Sequence, residues 1–311
     1  MQGGPEQTQH DGAAVVLVNY GSHLLIEANL APLHAELAAR GIRIVIVDSH
    51  HSPAESAAIR RLASAHGWLL VPLPDNPGFA AAANIGIRRA VEDADPAALV
   101  LLNPDVALDV GVLSELCAHA QREPLALISP RIVSAADGWV FDGSVVRLAS
   151  GRIRAVPGRR AAMPWLPGTC LAFSRALVER IGNLDERYFL YWEDVEYSHR
   201  CLAAGGAVVL RGDLLVRHAE GGTQGVQRGR AKSARYYYFN CRNRLLFAAR
   251  ELPRAQLARW ILATPLASRD VLLRGGRRQL LTSLRPLLAT VAGSLAGLRV
   301  ALPALLGGRR R

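Results

Sequence analysis

Five apolar residues, Ala98 to Leu102, run directly into Asn103-Pro104-Asp105. The run reads as a strand buried on both faces, and Pro104 cannot continue a central strand, so Asp105 stands at a carboxyl-end strand edge. Ligands bind at that edge in open α/β sheets, and a carboxylate held there can keep a divalent cation against a phosphate. Asn103 and Asp105 are two apart, so both side chains can leave the strand end on one side. The triplet also fits a plain turn in which Asp105 or Asp109 caps the next helix. A second chemical stretch, Asp185 to Glu196, packs four aromatic residues and five acids into twelve positions. Glu193 and Asp194 fall at a helix start, where acids complement the dipole; flanked by rings, they also suit a sugar-binding floor with a general base beside it. His218 follows a strand pattern and precedes a Gly-rich stretch, Ala219 to Lys232, that suits a lid.

The elements that must position these residues alternate. Apolar runs at Ala13–Val18, Ile42–Val47 and Trp68–Leu73 precede Ala98–Leu102, with helical stretches of about 12 to 18 residues between them. Ser52-Pro53-Ala54-Glu55 is a capping box with Pro at the first helical position, and Gly67 can close that helix. Such alternation predicts a parallel sheet with right-handed crossovers. The first strand leads into Asn19-Tyr20-Gly21-Ser22, and neither a Gly-x-Gly-x-x-Gly nor a P-loop pattern occurs. Phosphate must be held another way. Asp48 ends its strand as Asp105 does, where it can meet a base or ribose, or cap a helix.

Further on, a helix is expected over Val110–Arg122 and strands over Leu125–Ser129, Trp139–Leu148 and Trp165–Phe173, with a basic, mobile loop at Gly151–Arg160. Ser174 caps a helix closed by Gly182, and Gly205–Leu210 and Leu214–Arg217 read as short strands. Ser233–Arg250 reads as a long helix whose basic members, Arg242 and Arg244, can meet phosphate.

The chain has 311 residues, half of them hydrophobic and a fifth charged, which is ordinary for a folded protein. The first twelve residues are polar, read as disordered and lack an apolar signal-peptide centre, so the expected site of action is the cytoplasm. Four cysteines with no Cys-x-x-Cys spacing argue against zinc or disulfides. Of the net charge of +11, most lies from Glu251 onward, where eleven Arg face two acids, Glu251 and Asp270. That tail is apolar as well as basic. Its longest uncharged run, Pro286 to Leu298, is shorter than the ~20 residues of a spanning helix, so interfacial helices meeting anionic lipid are expected, or a helical subdomain packed on the body.

Several short pieces carry a family likeness when taken in order. They are Val-Asn-Tyr at 18–20, Val-Asp-Ser at 47–49, Asn-Pro-Gly-Phe-Ala-Ala-Ala-Ala-Asn-Ile-Gly at 76–86 and Leu-Asn-Pro-Asp-Val at 102–106. Pro-Gly-Thr-Cys at 167–170, Phe-Leu-Tyr-Trp-Glu-Asp-Val-Glu at 189–196, His218 and Tyr-Tyr-Phe-Asn-Cys-Arg-Asn-Arg at 237–244 continue the series. The chain resembles the inverting family 2 glycosyltransferases, and more narrowly their rhamnosyltransferase-like branch. The resemblance implies an α/β GT-A fold, with a Rossmann-like, mostly parallel central sheet flanked by helices. It covers residues 13–250, a nucleotide-binding half at 13–110 and an acceptor half at 111–250, followed by a basic amphipathic helical tail at 251–311.

It also implies roles. Asp194 is similar to the catalytic base, with Glu193 beside it. Asn19, Asp48, Asn76, Gly78, Asn84, Asn103, Asp105 and Arg242 are expected on the nucleotide-sugar side, and Trp165, Tyr191 and Trp192 on the acceptor side. Asp105 and His218 are the expected ligands of Mg²⁺ or Mn²⁺. Asn103 is neutral where many relatives carry a second carboxylate, and Ser49-His50-His51 departs from the usual Asn-x-Ser after the base-binding Asp. The implied partners are a nucleotide-sugar donor with dTDP-rhamnose favoured, a glycan or polyprenyl-linked acceptor, and the inner face of the cell membrane, where the chain would sit peripherally in envelope polysaccharide synthesis. A homo-oligomer stays open and nucleic acid is not expected. A nucleotidyltransferase, or a non-catalytic protein that binds membrane or nucleic acid through its tail, are the competing classes.

Overall fold

The computed structural model describes residues 12–134, 138, 140–154, 162–219 and 232–307. The expected disordered N-terminus, the core of the basic loop at 151–160 and nearly all of the Gly-rich lid at 219–232 lie outside the described residues.

The first half follows the predicted alternation. β1 (Ala13–Asn19), β2 (Ile42–Asp48), β3 (Leu69–Pro72) and β4 (Ala98–Leu102) are parallel and lie in the order β3-β2-β1-β4. Between them come α1 (His23–Leu30) and α2 (His34–Ala39), then α3 (Pro53–His66) and α4 (Phe79–Ala94). The Ser52 hydroxyl accepts from Glu55 N to open α3, and Gly67 closes it with φ of 62°. β5 (Val106–Ala107) and α5 (Val110–Arg122) follow, and Asp109 caps α5 by accepting from Val112 N. The cap role proposed for Asp109 is therefore met, while Asp105 is left free of it.

The second half makes the sheet mixed. β6 (Ala126–Ser134), β7 (Val140–Phe141), β8 (Ser144–Arg147), β9 (Arg152–Arg154), β10 (Ala162–Trp165) and β11 (Cys170–Ser174) come next, then α6 (Arg175–Ile181), α7 (Glu193–Ala203) and β12 (Ala207–His218). β11 inserts antiparallel between β4 and β6, and β12 lies on β6, with β5 beyond it. β10, β8 and β9 form a separate three-stranded sheet. The strand expected over Trp165–Phe173 is thus two strands in two sheets, because Leu166-Pro167-Gly168-Thr169 turns the chain between them. Trp139–Leu148 is likewise split, at Asp142-Gly143, into β7 and β8.

Both faces of the main sheet are covered. Val15 and Leu17 of β1 point to a core under α1, α2, α3 and α5, while Ala14 and Val16 point to a second core under α4, α6 and α7. That two-sided burial is why these strands are continuous apolar runs. α4 lies so close that a Cβ at Gly86 would collide with Val16 and Val47.

α8 (Ala234–Glu251) is followed by α9 (Arg254–Leu262), α10 (Thr264–Leu273), α11 (Arg277–Thr282) and α12 (Arg285–Leu306). α12 lies along α8 with Pro286, Thr290, Gly293, Gly297 and Ala301 inward. This stripe of mostly small residues lets the two backbones approach: Cβ atoms at Gly293 and Gly297 would meet the carbonyls of Tyr238 and Arg242. The tail is packed on the body, the second of the two expectations. α12 also runs through Arg299 and Pro303, which the sequence marks as breaks; at 22 residues with hydropathy 1.6 it is, among the described residues, the one helix long and apolar enough to cross a membrane.

Candidate active site

A cavity of about 600 Å³ opens at the carboxyl edge of the sheet. The ends of β1 and β2, the loop at 76–79, the turns at 103–104 and 168–169, the segment 189–194 and the start of α8 all contribute to its wall. It lies where a sheet of this topology binds ligands.

On the β1–β2 side, Asn19 and Asp48 are paired in register, and the Asn19 amide donates to Asp48 Oδ1 at 3.0 Å. Both are buried, and Asn19 Oδ1 also accepts from Ser22 N at the start of α1. The cavity wall here is their neighbours: Val18, Tyr20, Ser49 and His51, with the Tyr20 and His51 rings edge to face at 4.8 Å. Asn76 and Gly78 both line the cavity, and Asn76 Oδ1 accepts from Gly78 N at 2.9 Å. Gly78 is required: its φ is 96°, and a Cβ would lie 2.6 Å from the Phe189 carbonyl.

At the end of β4 the predicted pair separates. Asn103 and Pro104 line the cavity, whereas Asp105 is buried behind them with Oδ1 3.1 Å from His218 Nε2. β5 and β12 pair Val106 with His218, which is why residues so distant in sequence meet. Two ligands at right angles on an octahedral cation with bonds of about 2.1 Å stand about 3 Å apart, so this carboxylate and imidazole fit a metal whose other positions are left to ligand and water. Among the described residues no cluster of three or more acids, His or Cys could form a closed metal cage.

The acidic pair sits at the start of α7, joined to the Asn103 turn through Gly168-Thr169, since Thr169 O accepts from Asn103 N at 2.9 Å. Tyr191 and Trp192 precede it with left-handed φ of 66° and 76°, a conformation that costs non-glycine residues roughly 1–2 kcal/mol each. Asp194 Oδ2 accepts from Gly168 N at 3.1 Å, and Oδ1 from Val195 N at 2.8 Å. Burial outweighs these bonds and pushes its carboxyl up to about 6. Glu193 is only 6% exposed, and its Oε2 has no hydrogen-bond partner. Burial first, then the charge of Asp194, raises Glu193 well above the usual glutamate range. Of the two, Glu193 is raised by the charge of its neighbour as well as by burial and is the harder to ionise, a division that suits Asp194 as a base.

Not every predicted residue reaches the cavity. Of the three aromatic residues expected at the acceptor, Tyr191 lines it; Trp165 packs on Phe141, and Trp192 is buried on Phe247 and Trp260. Asn84 bonds Leu184 and Glu186, tying α4 to the loop before α7. Arg242 bonds the Arg187 carbonyl and Asn243 Oδ1, away from the cavity. Arg244 is buried over Trp260 against the carbonyls of Ser150 and Trp260, and burial lowers its pKa to about 10. The guanidinium that does line the cavity is Arg235, in the first turn of α8, a position the sequence reading passed over along with Tyr20 and His51.

Comparison with known proteins agrees with this frame. The Glycosyl transferase family 2 model matches residues 14–182, more than half of the chain. The chain belongs to this family. It is 26% identical over 203 residues to the low-salt glycan biosynthesis hexosyltransferase of Haloferax volcanii, covering 63% of each chain, so just under two thirds of that relative is spanned. It is 27% identical over 224 residues to the N-acetylglucosaminyl-diphospho-decaprenol L-rhamnosyltransferase of Mycobacterium tuberculosis, covering 63% of this chain and 72% of that one. Among solved structures, a mannosyltransferase from Pyrobaculum calidifontis in complex with GDP-Man and Mn²⁺ superposes with a TM-score of 0.56 at 18% identity, covering 97% of this chain and 89% of that one. That likeness shows the GT-A fold.

Proposed function

We propose that this chain transfers a sugar, rhamnose from dTDP-rhamnose as the favoured case, from a nucleotide-sugar donor to a hydroxyl of a lipid-linked glycan, with inversion in a single displacement. The observation that carries the reading is the Asp194 carboxylate, held by Gly168 N in the lining of a cavity that also holds Asn103 and, behind it, Asp105 and His218. The nucleotide lies along Tyr20, Ser49 and His51, with Asp48 beneath. Asp194 takes the proton of the acceptor hydroxyl as its oxygen bonds the anomeric carbon and the bond from that carbon to the diphosphate breaks. Arg235 faces the departing diphosphate, and Tyr191 offers an aromatic face to the acceptor sugar. Mg²⁺ or Mn²⁺ held by Asp105 and His218 would neutralise charge growing on the diphosphate.

The donor sugar is supported by the mycobacterial relative, an L-rhamnosyltransferase by name, and the acceptor by the diphospho-decaprenol in that name. The tail supports a place on the inner face of the cell membrane. The outward side of α12 carries Leu288, Leu295 and Leu306 at 64%, 53% and 82% exposure, and Leu262, Leu266 and Leu281 are exposed nearby. Arginines punctuate this surface, and the acid among them, Asp270, is already paired with Arg152. Leucines flanked by cations fit an anionic lipid surface, with α12 lying in its plane on α8.

Calorimetry with dTDP-rhamnose, UDP-galactose, UDP-N-acetylglucosamine and GDP-mannose, with Mg²⁺ or Mn²⁺ and with chelator, tests the reading. Metal-dependent binding of one donor, lost in Asp105→Ala, is the expected result; binding of none overturns it.

A further inference from the structure

The acidic pair enters the cavity from a turn that the local sequence does not favour. Tyr191 and Trp192 are consecutive, bulky and left-handed, and neither is a glycine or an asparagine that would adopt such angles readily. A turn of this kind persists only where its surroundings hold it. Trp192 is fixed by burial on Phe247 and Trp260, but packing of its ring does not satisfy the carbonyls that the turn directs inward.

Those carbonyls meet one side chain. Asn243, on α8 and fully buried, donates from Nδ2 to Leu190 O at 2.9 Å and to Tyr191 O at 2.8 Å. Its Oδ1 accepts from Arg242 Nη1 at 2.6 Å, and the same nitrogen donates to Arg187 O at 3.2 Å. Both amide hydrogens and the amide oxygen are engaged, so the plane of the side chain is fixed. α8 itself is backed on its other side by α12, where Gly297 meets the Arg242 carbonyl.

We infer that Asn243 is a positioning residue for proton abstraction: it clamps the left-handed turn at Leu190–Trp192 and so sets the direction in which Asp194 enters the cavity. The inference rests on Asp194 being the base. Without the amide, two buried carbonyls lose their donors, the turn relaxes toward extended or right-handed angles, and the first turn of α7 rotates away from Gly168 N. Asp48 stands on a separate strand, and the loop at 76–79 meets the chain at Phe189, before the clamped carbonyls, so donor affinity is expected to change far less than turnover. Glu193 travels with Asp194 on the same helical turn; Tyr20, His51, Tyr191 and Arg235 are the other titratable groups that line the cavity, and the substitution removes none of them.

The test uses the full chain as Asn243→Ala, Asn243→Ser and Asp194→Asn, each checked for a cooperative melt before assay. Donor binding by calorimetry, kcat for transfer and the pH dependence of kcat are measured. Asn243→Ala is expected to keep donor affinity within about twofold while kcat falls roughly 10- to 100-fold, the scale of a small misplacement of a reacting group. The acid limb of its pH profile shifts from near 6 toward the ordinary aspartate range, because a loosened turn hydrates Asp194. Asn243→Ser keeps one donor, falls between Ala and wild type, and carries the same readouts if the alanine variant does not fold. A folded variant with wild-type kcat and an unmoved acid limb overturns the inference. Wild-type turnover in Asp194→Asn overturns instead the reading of the base on which it rests.

Discussion

The two walls of the cavity are built by opposite means. The side proposed for the nucleotide stands on the ends of β1, β2 and β4, where parallel strands buried on both faces fix Asn19 beside Asp48 with no unusual backbone at either residue. The acidic side stands on a strained turn between a loop and α7, held by a helix some fifty residues later and backed by the tail. On the proposed function, a rigid sheet edge serves to bind the donor. Aiming a base requires a direction the local chain resists, and the fold supplies it from a distance. Damage to α8 around Asn243, or to the tail behind it, should therefore injure chemistry more than binding, whereas damage to the strand ends should do the reverse.

The sharpest way to break that contrast is Asp194→Asn. It is expected to cost on the order of 10²- to 10⁴-fold in kcat while the donor still binds, because an amide cannot accept the proton. In the wild type, kcat should fall as pH drops below about 6, where Asp194 protonates. Steady-state transfer assays from pH 4.5 to 8, alongside donor calorimetry, check both. A variant that loses donor binding as well would merge the two walls into one.

The same contrast governs how much could be read from the sequence. The runs at β1, β2 and β4 are legible because two-sided burial leaves no alternation to misread. The Ser52 capping box, the Asp109 cap and the Gly67 terminus are local chemistry and are found as expected. Asp105 with His218, and Asp194, follow from residue type at a strand or helix end. What the sequence hides is facing. Trp192 reads as a sugar platform because acids follow it, but Phe247 of α8 and Trp260 of the tail bury it. Arg242 and Arg244 look as ready for phosphate as Arg235, but Arg242 turns to the Arg187 carbonyl and Arg244 to Ser150, Trp260 and Thr264, so Arg235 alone of the three meets the cavity. Arg299 and Pro303 read as breaks because their neighbours are apolar, yet Arg299 is exposed and Pro303 falls in the last turn, so the helix runs through both. The left-handed angles at Tyr191 and Trp192 leave no mark at all, since neither residue is the kind that announces them.

A smaller effect sharpens the role of the tail. Gly297→Leu puts a side chain between α12 and α8 where a Cβ alone would lie 3.0 Å from the Arg242 carbonyl. Overpacking of this kind costs roughly 1–3 kcal/mol, and the displaced α8 should carry the Asn243 clamp with it. The expected outcome is a lower melting temperature, reduced kcat and near-normal donor affinity. If donor affinity falls as far as kcat, the tail supports both walls and the division drawn above fails.

The subtlest effect belongs to Glu193 and appears in stability rather than rate. Its carboxyl is harder to ionise in the folded chain than in the unfolded one, so the folded state binds the extra proton. Stability from this group is therefore greatest below the unfolded glutamate value of 4.5 and declines as pH rises from there, because ionising it means placing an uncompensated charge in a buried position beside Asp194. Glu193→Gln keeps the shape and removes the titration. Thermal melts of both proteins at pH 5 and pH 8 should nearly coincide at the lower pH and separate at the higher, with the variant the more stable by about 1 kcal/mol, the scale of one unfavourable buried group. A glutamine variant that is equally less stable at both pH values would mean that Glu193 is held by hydrogen bonds to its ionised form, and the neutral acid beside the base would have to be abandoned.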